Sequence, residues 1–184
     1  MSQKLMTNSQ GLYLAKTGRH IGYLTEFTPP TGGRVHILWA KVRLDRDWQK
    51  AINAAGPRTP RDCTVREVAN LYPPTKKGTV EREYILLNND GASYAAALDW
   101  GKQNKLNQTV PREVFAISEH NPRLHQQLGL THMYLVGTTN RGYEGDRQAC
   151  YVWWFGTERR AGLYWIEHFG TAGDWFAFSR DLTL

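Results

Sequence analysis

The sequence predicts an α+β fold: a mixed or mainly antiparallel sheet with three to four short helices and a C-terminal, aromatic-rich β-meander. Three observations carry this expectation. Runs of β-branched and aromatic residues recur along the whole chain, the mark of strands. Between several of them lie stretches with helix starts (Asp, Asn, Ser or Thr) and stops (Gly or Pro) in the usual order. The last third has no such stretch: its apolar runs are separated only by "GTERR" (156–160) and "GTAG" (170–173), lengths suited to hairpins.

The elements follow in order. "GLYLAK" and "HIGYLTEF" read as a hairpin around Thr17–Gly18–Arg19, and "TPPTGG" (28–33) as a turn. "RVHILWAKVRL" (34–44) is a strand with Val35, Ile37, Trp39 and Lys41 on one face and His36, Leu38, Ala40 and Val42 on the other, because strand side chains alternate. Asp45 caps a helix through Trp48, Ala51, Ile52 and Ala55, closed by Gly56–Pro57. Thr64 and Glu67 form a capping box that predicts a helix to Tyr72, stopped by Pro73–Pro74. From residue 80 to 137 the pattern reads β-α-β-α-β. Its parts are a strand "EREYILLNN", a helix "DGASYAAALDWGKQ" capped by Asn89 or Asp90, and a strand "REVFAIS". A helix opened by Asn121–Pro122 and a strand "HMYLVGT" complete it. Strands near 149–155, 162–169 and 174–180 make the meander.

At 184 residues, with 41% apolar and 22% charged side chains, the chain suits one globular domain over 1–184. No apolar run approaches the roughly 20 residues needed to span a bilayer, and the start lacks the apolar core of a secretory signal. With only Cys63 and Cys150, the expected setting is cytoplasmic, without membrane contact and with both thiols reduced. Cys63, beside Arg61 at a helix start, is the more reactive candidate of the two.

Charge divides unevenly. Residues 1–83 carry fourteen Lys and Arg against seven Asp and Glu, whereas residues 84–184 carry nine against ten. The basic surface therefore belongs to the N-terminal part, and Arg58, Arg61, Lys76 and Lys77, supported by Arg43 and Arg66, are its candidate binding residues. Such a patch pairs with phosphates or carboxylates, which makes nucleic acid or an acidic protein surface the expected partner of a non-enzymatic binding protein. No cofactor and no metal are implied: HExxH, CxxC, GxxxxGK[ST] and strand-linked GxGxxG are all missing, and His120 and His125 are five residues apart, off the i, i+4 spacing of helical ligands. His36 and His168, within apolar strands, read as hydrogen-bonded structural residues.

Two alternatives remain. If the central strands were parallel, their carboxyl ends would gather Asp90, Ser93, Glu119, His120, Asn140 and Arg141, with His120 or Glu119 as general base and Arg141 as anion clamp of a small enzyme. Caps and loop ends explain the same residues equally well. The other alternative concerns the seven aromatic residues within 150–170. Alternation makes both faces of those strands apolar, the pattern of a covered sheet. A stacking platform for single-stranded nucleic acid interleaves its rings with Lys and Arg, whereas here Arg159 and Arg160 fall at a hairpin tip. Most of these rings are therefore expected in the core and not in such a platform. One face left exposed would be a protein-docking surface.

Overall fold

The computed structural model describes residues 27–180 together with the backbone of 6–8 and 11–13. The fold is α+β. Its strands are β1 (Met6–Asn8), β2 (Gly11–Tyr13), β3 (Arg34–Arg43), β4 (Thr79–Asn88), β5 (Asn107–Gln108), β6 (His132–Tyr143), β7 (Asp146–Phe155), β8 (Glu158–Trp165) and β9 (Asp174–Arg180). The helices are α1 (Trp48–Ala55), α2 (Tyr94–Gln103), α3 (Pro111–His120) and the single turn α4 (Leu124–Gln127). Strand order in the one sheet is β1-β2-β3-β4-β9-β6-β7-β8, with β5 also against β9. The hairpin expected around Thr17–Gly18–Arg19 lies outside the described residues.

Helices cover both faces of the sheet centre, as the two-sided apolar strands require. On one face α1, α3 and α4 pack on Leu38, Ala40, Val42, Tyr84, Leu86, Val152, Trp154 and Trp175. On the other, α2 lays Tyr94, Ala97 and Trp100 against Val35, Ile37, Ile85, Leu87, Phe176 and Phe178. The alternation read along β3 is the one observed.

Several elements differ from the sequence pattern. "REVFAIS" is helix α3, not a strand. Every residue from Pro111 to Ser118 is buried, so the segment has no wet face, and a short run of Val, Phe and Ile between polar ends reads as a buried strand as readily as a helix. Pro111 sits at its first position, and the Glu113 carboxylate accepts the Val110 N–H at 2.8 Å, which caps the helix. The expected β-α-β-α-β unit is therefore absent. β4 and β6 do not pair; β9 lies between them, antiparallel to β4 and parallel to β6.

That insertion also takes β9 out of the meander. The hairpin-linked strands are β6, β7 and β8, while the last strand crosses back to the centre. Trp175 and Ala177 face one core and Phe176 and Phe178 the other, and a strand apolar on both faces belongs where both faces are covered. Where β6 leaves β9, after Gly137, the backbone shifts register before Asn140. Thr109 and Thr138 donate their hydroxyls to the Ala177 carbonyl at 2.8 and 2.7 Å, and β5 takes up the pairing with Phe178 and Ser179.

Smaller corrections are local. Asp47 caps α1, accepting the Lys50 N–H at 2.9 Å, while Asp45 turns to Arg43. Ser93, not Asn89 or Asp90, caps α2 through the Ala96 N–H. The capping box at Thr64 does not form: residues 64–66 and 69–71 are separate 3-10 turns with no side-chain cap. Val65, Val68 and Leu71 are three apart, and a three-residue period is the one that points all of them at the same core.

Candidate functional site

The end of β3, the start of α1 and the end of α3 enclose a groove of about 710 Å³. Lys41 and Arg43 reach it from β3, Arg46 and Lys50 from around the start of α1, and Arg112 from α3. Asp45, Asp47 and Glu119 line it too, so five cations meet three carboxylates. Most of these charges are already committed. Arg46 pairs with Glu119, and Arg43 with Asp45 at 3.0 Å, a contact that holds the Asp45 carboxyl below its usual range. Arg112 is a strut: its guanidinium donates to the Arg46 and Tyr72 carbonyls at 2.9 and 2.6 Å and lies 5.1 Å over Trp48, which in turn stacks on Tyr72. Lys41 and Lys50 have no ion-pair or side-chain hydrogen-bond partner among the described residues, with Glu81 across the strand from Lys41 and Asp47 one turn before Lys50. Five cations against three carboxylates leave the groove net positive. The Leu44 N–H donates to the Gly78 carbonyl, which brings the exposed Lys76–Lys77 loop against this end of β3.

The other candidate cations sit elsewhere. Arg61 and Arg66 line a second, shallower depression of about 490 Å³ at the far end of α1, with Gln49, Asn53 and Thr59. Arg66 points its donors inward, to the carbonyls of Pro60 and Thr59 and the side chains of Gln49 and Asn53, at 2.7 to 3.0 Å. Four of its five N–H groups are used, so it fastens the 57–66 loop to α1 and has little left for a ligand. Arg58 and Arg61 are exposed. The six basic candidates thus fall into two groups, Arg43 with Lys76 and Lys77 at one end of α1, and Arg58, Arg61 and Arg66 at the other.

The strand-end constellation is not assembled. Asp90 follows β4 beyond the Arg34–Asn88 end of the β3–β4 pair. Glu119 is tied to Arg46, beyond the Arg43–Thr79 end, and ten-residue strands separate those ends by roughly 30 Å. His120 bonds the Ala116 carbonyl of its own helix at 2.8 Å. Arg141 lies on the distal arm of the β6–β7 hairpin, opposite Gln148, and donates to the Asn140 carbonyl. Among the described residues no three His, Cys, Asp or Glu side chains are grouped to hold a metal ion, and no helix is long and apolar enough to cross a membrane. Cys63 and Cys150 are unbridged; burial pushes the Cys150 thiol strongly up, which leaves it protonated and inert.

The aromatic stretch divides by side of the sheet. Trp154 is fully buried, its indole N–H donating to the Pro122 carbonyl. The opposite side of β6–β8, which α2 meets through Tyr94, at Gly137 and Phe169, carries Tyr134, Tyr151, Trp153, Phe155 and Tyr164. The chain from β8 to β9 crosses this side with Phe169 against Tyr151, and the alternation expected through 169 stops at Trp165, where a 3-10 turn begins. Tyr151 lies flat over Gly162, where a Cβ would come within 2.4 Å of the ring, and burial raises its phenol to about 12. Outside that crossing, Phe155 is 57% exposed and stacks on Trp153, the planes 5° apart and the centroids 5.8 Å apart.

Arg160 completes this cluster. The β7–β8 turn is only Gly156–Thr157, so Arg159 and Arg160 are strand residues and not the tip of a loop, and the register sets Arg160 opposite Trp153. Its guanidinium lies 5.6 Å over the Trp153 ring and pairs at the surface with Glu158 at 2.9 Å. The hint in the sequence is Phe-Gly-Thr-Glu, which fits a two-residue turn and advances β8 by four residues. Comparison with family models, curated proteins and solved structures finds no match for this chain.

Proposed function

We propose that the protein is a non-enzymatic binding protein whose basic surface holds the phosphate backbone of nucleic acid. The observation that carries this reading is the groove between β3, α1 and α3, where five cations outnumber three carboxylates and the Lys76–Lys77 loop adjoins. Lys41 and Lys50 make no ion pair there among the described residues, although Glu81 lies across from Lys41 and Asp47 one turn before Lys50. Lysine is a flexible point charge suited to a backbone that presents phosphate at regular intervals without sequence information. The paired Arg43 and Arg46 shape the rim and supply field. Arg58 and Arg61 extend the contact past the far end of α1, while Arg66 acts by fixing their loop. An acidic protein is the other ligand such a surface suits, and its binding lacks the regular stoichiometry of counterion release along a polyanion.

The test is binding of labelled single-stranded and duplex DNA and RNA to the purified protein across a salt series. Saturable binding whose logarithm falls linearly with the logarithm of salt is expected. Lys41→Glu with Lys50→Glu should weaken it and flatten the slope by about 1.4 to 1.8 for two lost phosphate contacts; Lys76→Glu with Lys77→Glu should do the same if the loop takes part. No binding at low salt would remove nucleic acid and leave the acidic-protein reading, to be followed by capture with the same variants as controls.

A further inference from the structure

We propose that the Trp153–Phe155–Arg160 cluster stacks unpaired bases, so that the nucleic acid is single-stranded; the inference rests on nucleic acid being the ligand of the basic groove. Trp153 and Phe155 already form a parallel stack, and the outer ring is more than half exposed. A base continues such a stack with its own π face, whatever its identity. Arg160 lies over the same indole, and its pair with Glu158, both side chains more than 40% exposed, is weak enough in water to yield to a phosphate.

More positive charge lies along the edge of β8, on its α1 side. Loop 56–59 is pinned to β8 by the Arg58 N–H donating to the Arg159 carbonyl at 3.1 Å and the Ala161 N–H donating to the Thr59 hydroxyl at 2.7 Å. These bonds cover the edge of β8 and carry Arg58 and Arg61 next to the strand that holds Arg160. Asp62 and Glu158 are the acidic neighbours on this loop and strand, so cations are in excess. Aromatic faces flanked by cations suit a strand with unstacked bases, whereas duplex bases are already stacked on one another.

The experiment compares three probes of equal length, about 12 nucleotides, by fluorescence anisotropy: oligo(dT), an abasic phosphodiester strand, and a duplex. Oligo(dT) is expected to bind about tenfold or more tighter than the abasic strand. Phe155→Ala and Trp153→Leu should erase that gap while leaving abasic affinity and salt slope unchanged, and Trp153→Phe should keep it. Phe155→Ala is exposed enough to fold, which thermal melting verifies. Lys41→Glu with Lys50→Glu should weaken both strands alike. Equal binding of oligo(dT) and abasic strand, or a gap that survives Phe155→Ala and Trp153→Leu, overturns stacking, leaves the groove reading intact and turns this face over to a protein partner. Failure of all three probes at low salt overturns both.

Discussion

The two faces of strand β7 make a sharp comparison. Trp154 points into the α3–α4 side and is fully buried, whereas its neighbours Trp153 and Phe155 point to the other side and are half-buried and exposed. The residues are chemically alike; what differs is what covers them. Among the described residues three helices occupy one side of the sheet, while α2, the one helix on the other, reaches the central strands and stops short of β7–β8. A similar contrast separates cations. Arg112 is spent on backbone carbonyls and Arg66 on carbonyls and the Gln49 and Asn53 side chains, but Lys41, Lys50, Arg58 and Arg61 have no such partners among the described residues. Residue type alone therefore does not mark a site here; the neighbours do.

The strongest way to break the comparison is to truncate both rings of one strand. Trp154→Ala should cost about 3–5 kcal/mol, enough to unfold a marginal domain, whereas Phe155→Ala should cost under about 1 kcal/mol, as surface changes do. Chemical denaturation of the two variants measures this directly, and equal losses would mean that Phe155 is packed. The same logic applies to the arginines with a smaller effect. Arg66→Ala should lose about 1–2 kcal/mol by freeing four acceptors, against no more than about 0.5 kcal/mol for Arg61→Ala. Equal melting curves would put Arg66 back among the free cations.

The smallest effect is a pH dependence at His125, which lies under Trp154 and marks the covered side. Its ring is buried, Nε2 contacts the Gly156 carbonyl at 3.0 Å, and Nδ1 has no hydrogen-bond partner among the described residues. Burial lowers its pKa below the ordinary imidazole value of about 6.5, so the unfolded chain takes up a proton before the folded one does. The contribution to stability is complete above the unfolded pKa and declines as pH falls below it toward the lowered folded value, by at most about 1.4 kcal/mol per pH unit. Urea unfolding at successive pH values should therefore show a steeper acid decline for the wild type than for His125→Gln. Parallel declines would mean that the folded protein accepts the proton at no cost.

Much of this fold is legible from local chemistry. Alternation in β3 assigns its two faces, turn residues bound the strands, and Gly56–Pro57 ends α1. Yet Gly56 also sits so close to β8 that a Cβ would come within 2.3 Å of the Ala161 nitrogen, a constraint no local pattern contains. The candidate site is less legible. Arg43, Lys76 and Lys77 are found near the groove, but Lys41, Lys50 and Arg112 join them only because α1 and α3 pack against the end of β3. Arg160 next to Trp153 follows from the hairpin register, which a difference of a few residues in turn length reverses.

What the sequence by itself determined is the α+β class, the existence of most elements and the placing of charge in the N-terminal part. Each of those depends on residues near one another in the chain, through side-chain period, caps and turns. Tertiary structure alone decided that 111–120 is a helix, that the last strand lies between β4 and β6, that Asp90 and Glu119 are far apart, and which rings and cations face solvent. Those outcomes depend on contacts between segments distant in sequence. A short apolar run buried on every side reads as strand or helix alike until its neighbours are known.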